Sequence, residues 1–136
     1  MAETVRPIEY FYILVANKVG EAARALRTLK DAGINLLAFS GFPERGRGQL
    51  DFIPADAAAF KSVAKANKWK VVGPKRGFLI QGEDRVGAVA DVAGRLADAR
   101  INIIALDAVC TDHQYGALCW VAPRDFKKAA QVLGAA

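Results

Sequence analysis

The sequence repeats itself at an offset of 67 positions, and residues 17–40 align with residues 84–107 without a gap. Nine of these 24 positions are identical, and they include glycine and asparagine as well as alanine. The identical pairs are Val19/Val86, Gly20/Gly87, Ala23/Ala90, Leu29/Leu96, Asp31/Asp98, Ala32/Ala99, Ile34/Ile101, Asn35/Asn102 and Ala38/Ala105. We interpret the chain as a duplicated unit, so its fold must accommodate the same set of elements twice.

Each unit is predicted to contain a strand, a helix, two strands and a second helix. Aromatic and β-branched residues favour strands, and apolar residues three or four positions apart favour helices. The predicted strands are Glu9–Ala16, Ile34–Ser40, Gln49–Ile53 and Trp69–Val72 in the first unit, and Gly77–Gly82, Ile101–Thr111 and Tyr115–Val121 in the second. The predicted helix N-caps are Asn17, Asp56, Asp84 and Asp125. The second unit ends without a fourth strand.

This order predicts an α+β fold of two tandem ferredoxin-like βαββαβ units, each an antiparallel sheet with its helices on one face. We expect domains at residues 1–74 and 75–136, packed as one body because a unit of this size is marginally stable alone. The missing last strand of the second unit predicts an open sheet edge. We expect another copy of the chain to cover this edge in a homodimer or, in a monomer, residues 1–8 to cover it from within.

Composition narrows the classes of function. The net charge of +5 permits contact with an anion or with nucleic acid. The basic residues are nevertheless scattered and favour a solvated surface; they include Arg45, Arg47, Lys68, Lys70, Lys75 and Arg76. No apolar run is long enough to cross a membrane, and the N-terminus lacks the pattern of a secretory signal. With two cysteines, the chain is predicted to be a reduced, cytoplasmic protein.

Candidate groups for catalysis are sparse. The single histidine, His113, does not provide a histidine-based metal or acid–base centre, and no nucleophile stands at a recognisable spacing from Asp107 or Asp112. Cys110 and Cys119 flank the predicted hairpin of the second unit, either opposite one another as a disulfide or metal pair, or simply buried as thiols. We therefore predict no catalytic residue, no metal and no cofactor.

The junctions between first strand and first helix resemble those of the ACT domain family. The matching segments are Leu14–Gly20 with Ala32–Leu36, and Ile80–Gly87 with Ala99–Ile103. The family pattern is a strand, Asn or Asp, two residues, Gly, an amphipathic helix, and a small residue before Ile-Asn-Ile. The resemblance covers residues 8–134. It implies a regulatory protein that senses a small ligand, most often an amino acid, between the strand–helix loop of one domain and the second strand of its neighbour.

The sequence departs from the family pattern at several positions. Val19 and Val86 stand where proline is frequent, and Glu21 and Ala88 stand where a branched apolar residue is common. Glu21 places a negative charge beside the first loop. The absence of the last strand in the second unit is a further departure.

The resemblance assigns the ligand to the strand–helix loops and to the starts of the second strands. A helix N-terminus offers amides and partial positive charge to a carboxylate, and glycine permits close approach of a ligand. We expect Asp84 to accept from the ligand's ammonium group, and the first loop to hold its carboxylate if Lys18 outweighs Glu21. Helix capping, close packing and turn formation are the alternative roles. The expected ligand-binding residues are Asn17, Lys18, Val19, Gly20, Asn35, Leu36, Asp84, Arg85, Val86, Gly87, Asn102 and Ile103.

RNA-recognition motifs share the same order of elements. Lys75–Phe78 loosely resembles the start of their aromatic motif, but Leu79–Gln81 supplies no further aromatic residue and the match falls on a first strand rather than the third. We therefore predict a regulatory small-molecule sensor without a catalytic domain. Its expected partners are an amino acid or related carboxylate, a second copy of the chain and a regulated enzyme; an RNA-binding or protein-interaction module is the alternative.

Overall fold

The computed structural model describes residues 3–135. These residues form two compact units. The first unit contains residues 9–75, and the second contains residues 3–8 together with residues 76–135. Residues 3–8, which a division at 74/75 assigns to the first domain, therefore group with the second half of the sequence.

The element order confirms the predicted α+β class, with strand–helix–strand–strand–helix occurring twice. The strands are β1 (Thr4–Ala16), β2 (Leu36–Glu44), β3 (Arg47–Pro54), β4 (Val72–Glu83), β5 (Ile103–Thr111) and β6 (Gln114–Val121). The helices are α1 (Glu21–Asp31), α2 (Ala57–Ala66), α3 (Ala88–Asp98) and α4 (Phe126–Leu133), the last preceded by a 3-10 turn at Pro123–Asp125. The two strands predicted at Trp69–Val72 and Gly77–Gly82 are wrong as separate elements, because β4 is continuous. Within residues 3–135, no helix is long and apolar enough to span a membrane.

The first unit has the ferredoxin-like strand order β2-β3-β1-β4. β1 and β3 run antiparallel, with Phe11 opposite Phe52. Both helices bury their apolar residues against these two strands, so they cover one face of the sheet. Phe60 of α2 stacks on Phe11 with ring centroids 4.9 Å apart. The buried residues of this core are Phe11, Ile13, Ala25, Leu29, Leu50, Phe52, Phe60 and Ala64.

The second unit has the corresponding order β1-β4-β6-β5, in which only the N-terminal part of β1 takes part. Phe78 of β4 stacks on Phe126 of α4 with ring centroids 4.6 Å apart, which joins sheet to helix. The core contains Val5, Phe78, Ile80, Ala88, Val92, Leu96, Ile101, Tyr115, Ala117, Cys119, Val121, Phe126, Ala129 and Leu133.

The place of the missing fourth strand is taken by Thr4–Ile8. Val5 of this segment is a buried member of the second core, and the Thr4 hydroxyl donates to the carbonyl oxygen of Gln81 at 3.5 Å. No strand follows α4 within residues 3–135. The expectation of an open edge is wrong, because Thr4–Ile8 pairs with β4, in agreement with the alternative that residues 1–8 cover this edge from within the chain. The homodimer loses this argument and stays a prediction.

Candidate ligand-binding loops

Two predicted loops connect a first strand to a first helix. The first loop (Asn17–Gly20) leads into α1, and the second loop (Asp84–Gly87) leads into α3. Each ends in a glycine at the helix N-cap with left-handed backbone: φ is 91° at Gly20 and 81° at Gly87. A Cβ at either glycine would meet no atom within 4 Å. The glycines therefore serve a backbone conformation that other residues rarely adopt, rather than close packing of helix on sheet.

The prediction that Asn17 and Asp84 are N-caps is wrong, because no side chain caps α1 or α3. A side-chain cap requires an N-cap residue with extended backbone, whereas both helices begin from a tight turn. In the second loop this turn is closed by the Ala88 amide, which donates to the Arg85 carbonyl oxygen at 3.2 Å. The two polar side chains are exposed and are not engaged in capping.

Each loop ends at a helix N-terminus, which has the chemical character of an anion-binding element. The first-turn amides of an α-helix have no partner within the helix, and the aligned peptide dipoles add partial positive charge at this end. In the first loop, the Lys18 amide donates to the Ala16 carbonyl oxygen at 3.0 Å, which fixes the turn ahead of α1. A carboxylate of modest size suits such a site.

The charge of Glu21 beside the first loop is balanced by Arg24. The Arg24 guanidinium donates to both carboxylate oxygens, at 2.8 and 2.6 Å. Lys18 is exposed and forms no ion pair with any described residue. The positive charge available to a ligand at the first loop is therefore that of Lys18, and the expected interference from Glu21 is largely removed.

The second loop has the opposite charge balance. Arg85 forms an ion pair with Asp91 of α3 at 2.7 Å, so its charge is already engaged. Asp84 is exposed, and its amide donates to the His113 carbonyl oxygen at 3.0 Å. The Asp84 side chain also forms a hydrogen bond with the Cys110 thiol, and this bond is the main cause that raises the pKa of the thiol. Among the described residues, no cation forms an ion pair with the Asp84 carboxylate.

The starts of the second strands lie away from the loops of their own unit. Asn35 and Asn102 are exposed, and the Ala55 amide donates to the Asn35 carbonyl oxygen at 2.9 Å. Eleven helical residues separate each loop from the following strand, a length of about 16 Å. Each loop and the second strand of its own unit therefore lie at opposite ends of a helix. Contact between a loop and the second strand of the facing unit stays a prediction.

The four apolar residues among the predicted ligand-binding residues differ in burial. Val19 and Val86 lie at the loop tips with fully exposed side chains. Leu36 is half-buried against the first core, and Ile103 against the second. These two apolar side chains therefore support the cores of their units.

Sequence analysis missed a cluster in the second unit formed by Glu3, Arg95 and Tyr115. Arg95 Nη2 lies 2.5 Å from Glu3 Oε1, and the Tyr115 hydroxyl donates to the same carboxylate. Burial opposes ionisation of Glu3, but the hydrogen bonds from Tyr115 and Arg95 outweigh it and lower the pKa of that carboxyl. Burial and the bond to Glu3 raise the pKa of Tyr115 to about 12.

One local signal pointed to this cluster. Gly82 lies opposite Tyr115 in the β4–β6 pair, and a Cβ at Gly82 would lie 2.8 Å from Tyr115 Cε1. The glycine therefore leaves room for the ring. Nothing in the sequence joins either residue to Glu3.

The structure also shows where the aromatic segment at Lys75–Phe78 and the two cysteines lie. Phe78 is fully buried, so the segment resembling an RNA-recognition motif offers no stacking surface there. Cys110 pairs with Tyr115, and Cys119 with Leu106, in the β5–β6 register. The suggestion that the two cysteines face each other is therefore wrong. Among residues 3–135, no three His, Cys, Asp or Glu side chains lie close enough together to hold a metal ion.

Comparison with solved structures places this architecture among known folds. Protein BT0572 from Bacteroides thetaiotaomicron superposes with a TM-score of 0.82 at 22% identity, over 97% of this chain and 88% of that one. The aspartokinase alpha and beta subunits give a TM-score of 0.66 at 16% identity, over 98% and 95%. The ligand-free regulatory subunit of aspartate kinase from Thermus thermophilus gives 0.66 at 15% identity, over 98% and 93%. No protein-family profile and no curated protein matches the sequence. At these identities the likeness is one of fold.

Proposed function

Because this chain has the tandem ACT fold found in aspartate kinase regulatory subunits, we propose that it is a regulatory protein that binds a small amino acid or a related carboxylate. The binding elements are the first loop and the second loop. The chain carries no catalytic function of its own in this proposal. Its output passes to a partner protein, most simply an enzyme whose activity depends on the bound ligand.

The observation that carries the proposal is the charge balance at the first loop. A helix N-terminus, a left-handed glycine and the unpaired ammonium of Lys18 occur together there, while Arg24 neutralises Glu21. This combination favours a carboxylate, because the helix N-terminus and the lysine both attract negative charge.

The second loop complements the first. Its arginine is engaged by Asp91, whereas Asp84 is exposed. A carboxylate without an ion-pair partner favours an ammonium group. The first loop therefore favours a carboxylate and the second loop an ammonium group, which are the two charged groups of an α-amino acid.

A thermal-shift screen of the full chain against the common amino acids identifies the ligand, because a ligand that binds only the folded state raises its melting temperature. Calorimetry then measures the affinity for Lys18→Ala and Asp84→Asn. Each variant removes one charged contact and is expected to lose about tenfold to a hundredfold in affinity, equivalent to about 1–3 kcal/mol.

Two matched variants control for net charge. Lys61→Ala removes an exposed lysine of α2, and Asp107→Asn removes an exposed carboxylate of β5. Both should bind the ligand as tightly as the wild type. If Lys18→Ala and Asp84→Asn also retain wild-type affinity, the loops are structural and the proposed site is wrong.

We also propose that the protein is a homodimer. The support is no longer an open edge in the second unit but the apolar character of two other edge strands. Exposed apolar side chains occur on β2 (Leu37 and Phe42) and on β5 (Ile104 and Val109), and exposed apolar residues on sheet edges favour association. Sedimentation at high micromolar concentration should give a dimer; a monomer would contradict this part of the proposal.

A further inference from the structure

A basic cleft lies in the first unit, apart from the residues assigned to the ligand loops. Its volume is about 560 Å³, and it lies beside α1, the start of β3 and the segment that joins α2 to β4. Its cationic lining residues are Arg24, Arg47, Lys68 and Lys70. Arg47, Lys68 and Lys70 were expected to form part of a scattered, solvated surface. The fold instead brings them to one concave site.

The charge of this cleft is largely uncompensated. Glu21 is the one acidic lining residue, and it is paired with Arg24 at 2.6 Å. Among the described residues, no carboxylate lies within ion-pair distance of Arg47, Lys68 or Lys70. Four cations and one anion leave a net charge of +3, and like charges held together around a cleft attract anions.

The two lysines extend from an ordered segment. The Lys68 amide donates to the Lys65 carbonyl oxygen at 3.1 Å, and the Trp69 amide donates to the Ala64 carbonyl oxygen at 3.0 Å. Trp69 then stacks on Phe52 of the core with ring centroids 5.9 Å apart. Since Lys68 and Lys70 flank this anchored tryptophan, their backbones are held in place before any ligand binds, which lowers the entropy lost on binding.

The repeat shows what an equivalent cleft holds in the second unit. At the offset of 67, Thr28 corresponds to Arg95 and Gly48 corresponds to Tyr115. In the second unit, the arginine and tyrosine bind the carboxylate of Glu3, a residue just before β1. The first unit has threonine and glycine at the two corresponding positions. Just before β4, where the topological counterpart of Glu3 is expected, it has Lys70.

From this contrast we propose that the basic cleft binds a small polyvalent oxyanion, either a phosphorylated metabolite or a polycarboxylate. The second unit supplies a carboxylate from its own chain, whereas the first unit supplies cations and leaves the anion to come from solution. Three unpaired cations match a group with two or more negative charges better than the single carboxylate of an amino acid. None of the residues Asn17–Gly20 lines this cleft.

The test is calorimetry on the full chain with pyrophosphate and citrate as the two probes. The variant Lys68→Gln/Lys70→Gln removes two charges from the cleft. Its matched control, Lys61→Gln/Lys65→Gln, removes two exposed charges from α2 of the same unit, outside the cleft. We expect the cleft variant to lose at least about tenfold in affinity for the tighter probe and the control to change less than about twofold. Tighter binding of pyrophosphate identifies a phosphorylated ligand, and tighter binding of citrate identifies a polycarboxylate.

Two results would overturn the proposal: no heat of binding with either probe at millimolar concentration, or equal losses in the two double variants, which would indicate a general effect of net charge. Thermal melting of both variants establishes that they are folded. Lys18→Ala should bind the tighter probe as the wild type does, so a failure of the loop proposal and a failure of the cleft proposal are distinguishable.

Discussion

Glu3 Oε1 lies 2.5 Å from Nη2 of Arg95, although 92 positions separate the two residues in the sequence. Tyr115 of β6 donates its hydroxyl to the other oxygen of the same carboxylate. The ion pair links Glu3 to α3. The residues that follow Glu3, Thr4–Ile8, complete the sheet of the second unit. Within residues 3–135, the fourth strand in the sheet of the second unit is therefore Thr4–Ile8, which precedes the first unit in the sequence.

Replacing Val5 with alanine should destabilise the second unit. Val5 is 6% exposed and packs in the second core, so the change leaves a small cavity and costs roughly 1–2 kcal/mol. Urea denaturation followed by circular dichroism measures the difference. The neighbouring exposed residue gives the control: Arg6→Ala should lie within about 0.5 kcal/mol of the wild type. Equal stability of the Val5 variant and the wild type would mean that Thr4–Ile8 does not belong to this core.

Glu3→Gln should lower the free energy of unfolding at neutral pH, and this destabilisation should disappear in acid. The pKa of Glu3 is lower in the folded protein than its ordinary value of 4.5. Its contribution to stability is therefore fully present above 4.5 and is lost as the pH falls through the folded-state pKa. The difference in free energy of unfolding between wild type and variant should narrow below pH 4.5. A difference that is constant from pH 7 to pH 3 would contradict the ion pair.

The phenol of Tyr115 should report on the same contact at high pH. Its pKa is raised to about 12, chiefly by burial and then by the hydrogen bond to Glu3. Because the folded-state pKa is raised, the stabilisation is complete below the ordinary value of 10.0 and is lost as the pH rises through about 12. An NMR titration of the ring signals should show a lower pKa in Glu3→Gln than in the wild type. The same pKa in both proteins would argue against the hydrogen bond.

Gly87→Ala should destabilise the protein even in the absence of a ligand. At φ 81°, an L-residue in the left-handed region is disfavoured by roughly 1–2 kcal/mol. Gly94 provides the control, because it lies inside α3, where a Cβ would meet no atom within 4 Å. Gly94→Ala should stabilise the helix by about 0.5–1 kcal/mol. Opposite signs in thermal melting are expected; two variants of equal stability would contradict the loop conformation.

The special residues of the loops were visible in the sequence, but their roles were not all assigned correctly. Gly20 and Gly87 were expected to permit close approach of a ligand or close packing of helix on sheet, and the structure shows that both have positive φ. The N-cap role predicted for Asn17 and Asp84 was wrong. A polar residue before a helix looks the same in the sequence whether its backbone is extended, as a cap requires, or leads into a tight turn. Local sequence does not distinguish these two conformations.

The sequence by itself determined the duplicated unit, the order of its elements and the ACT-like loops, because helical and strand periodicity and turn glycines act over a few neighbouring residues. Only the tertiary structure decided which segment closes the second sheet, and which cations share a cleft. Strand pairing and charge clustering depend on distances in space between residues far apart in sequence. Glu3 with Arg95 and Arg47 with Lys68 are such pairs, and no periodicity along the chain relates their members.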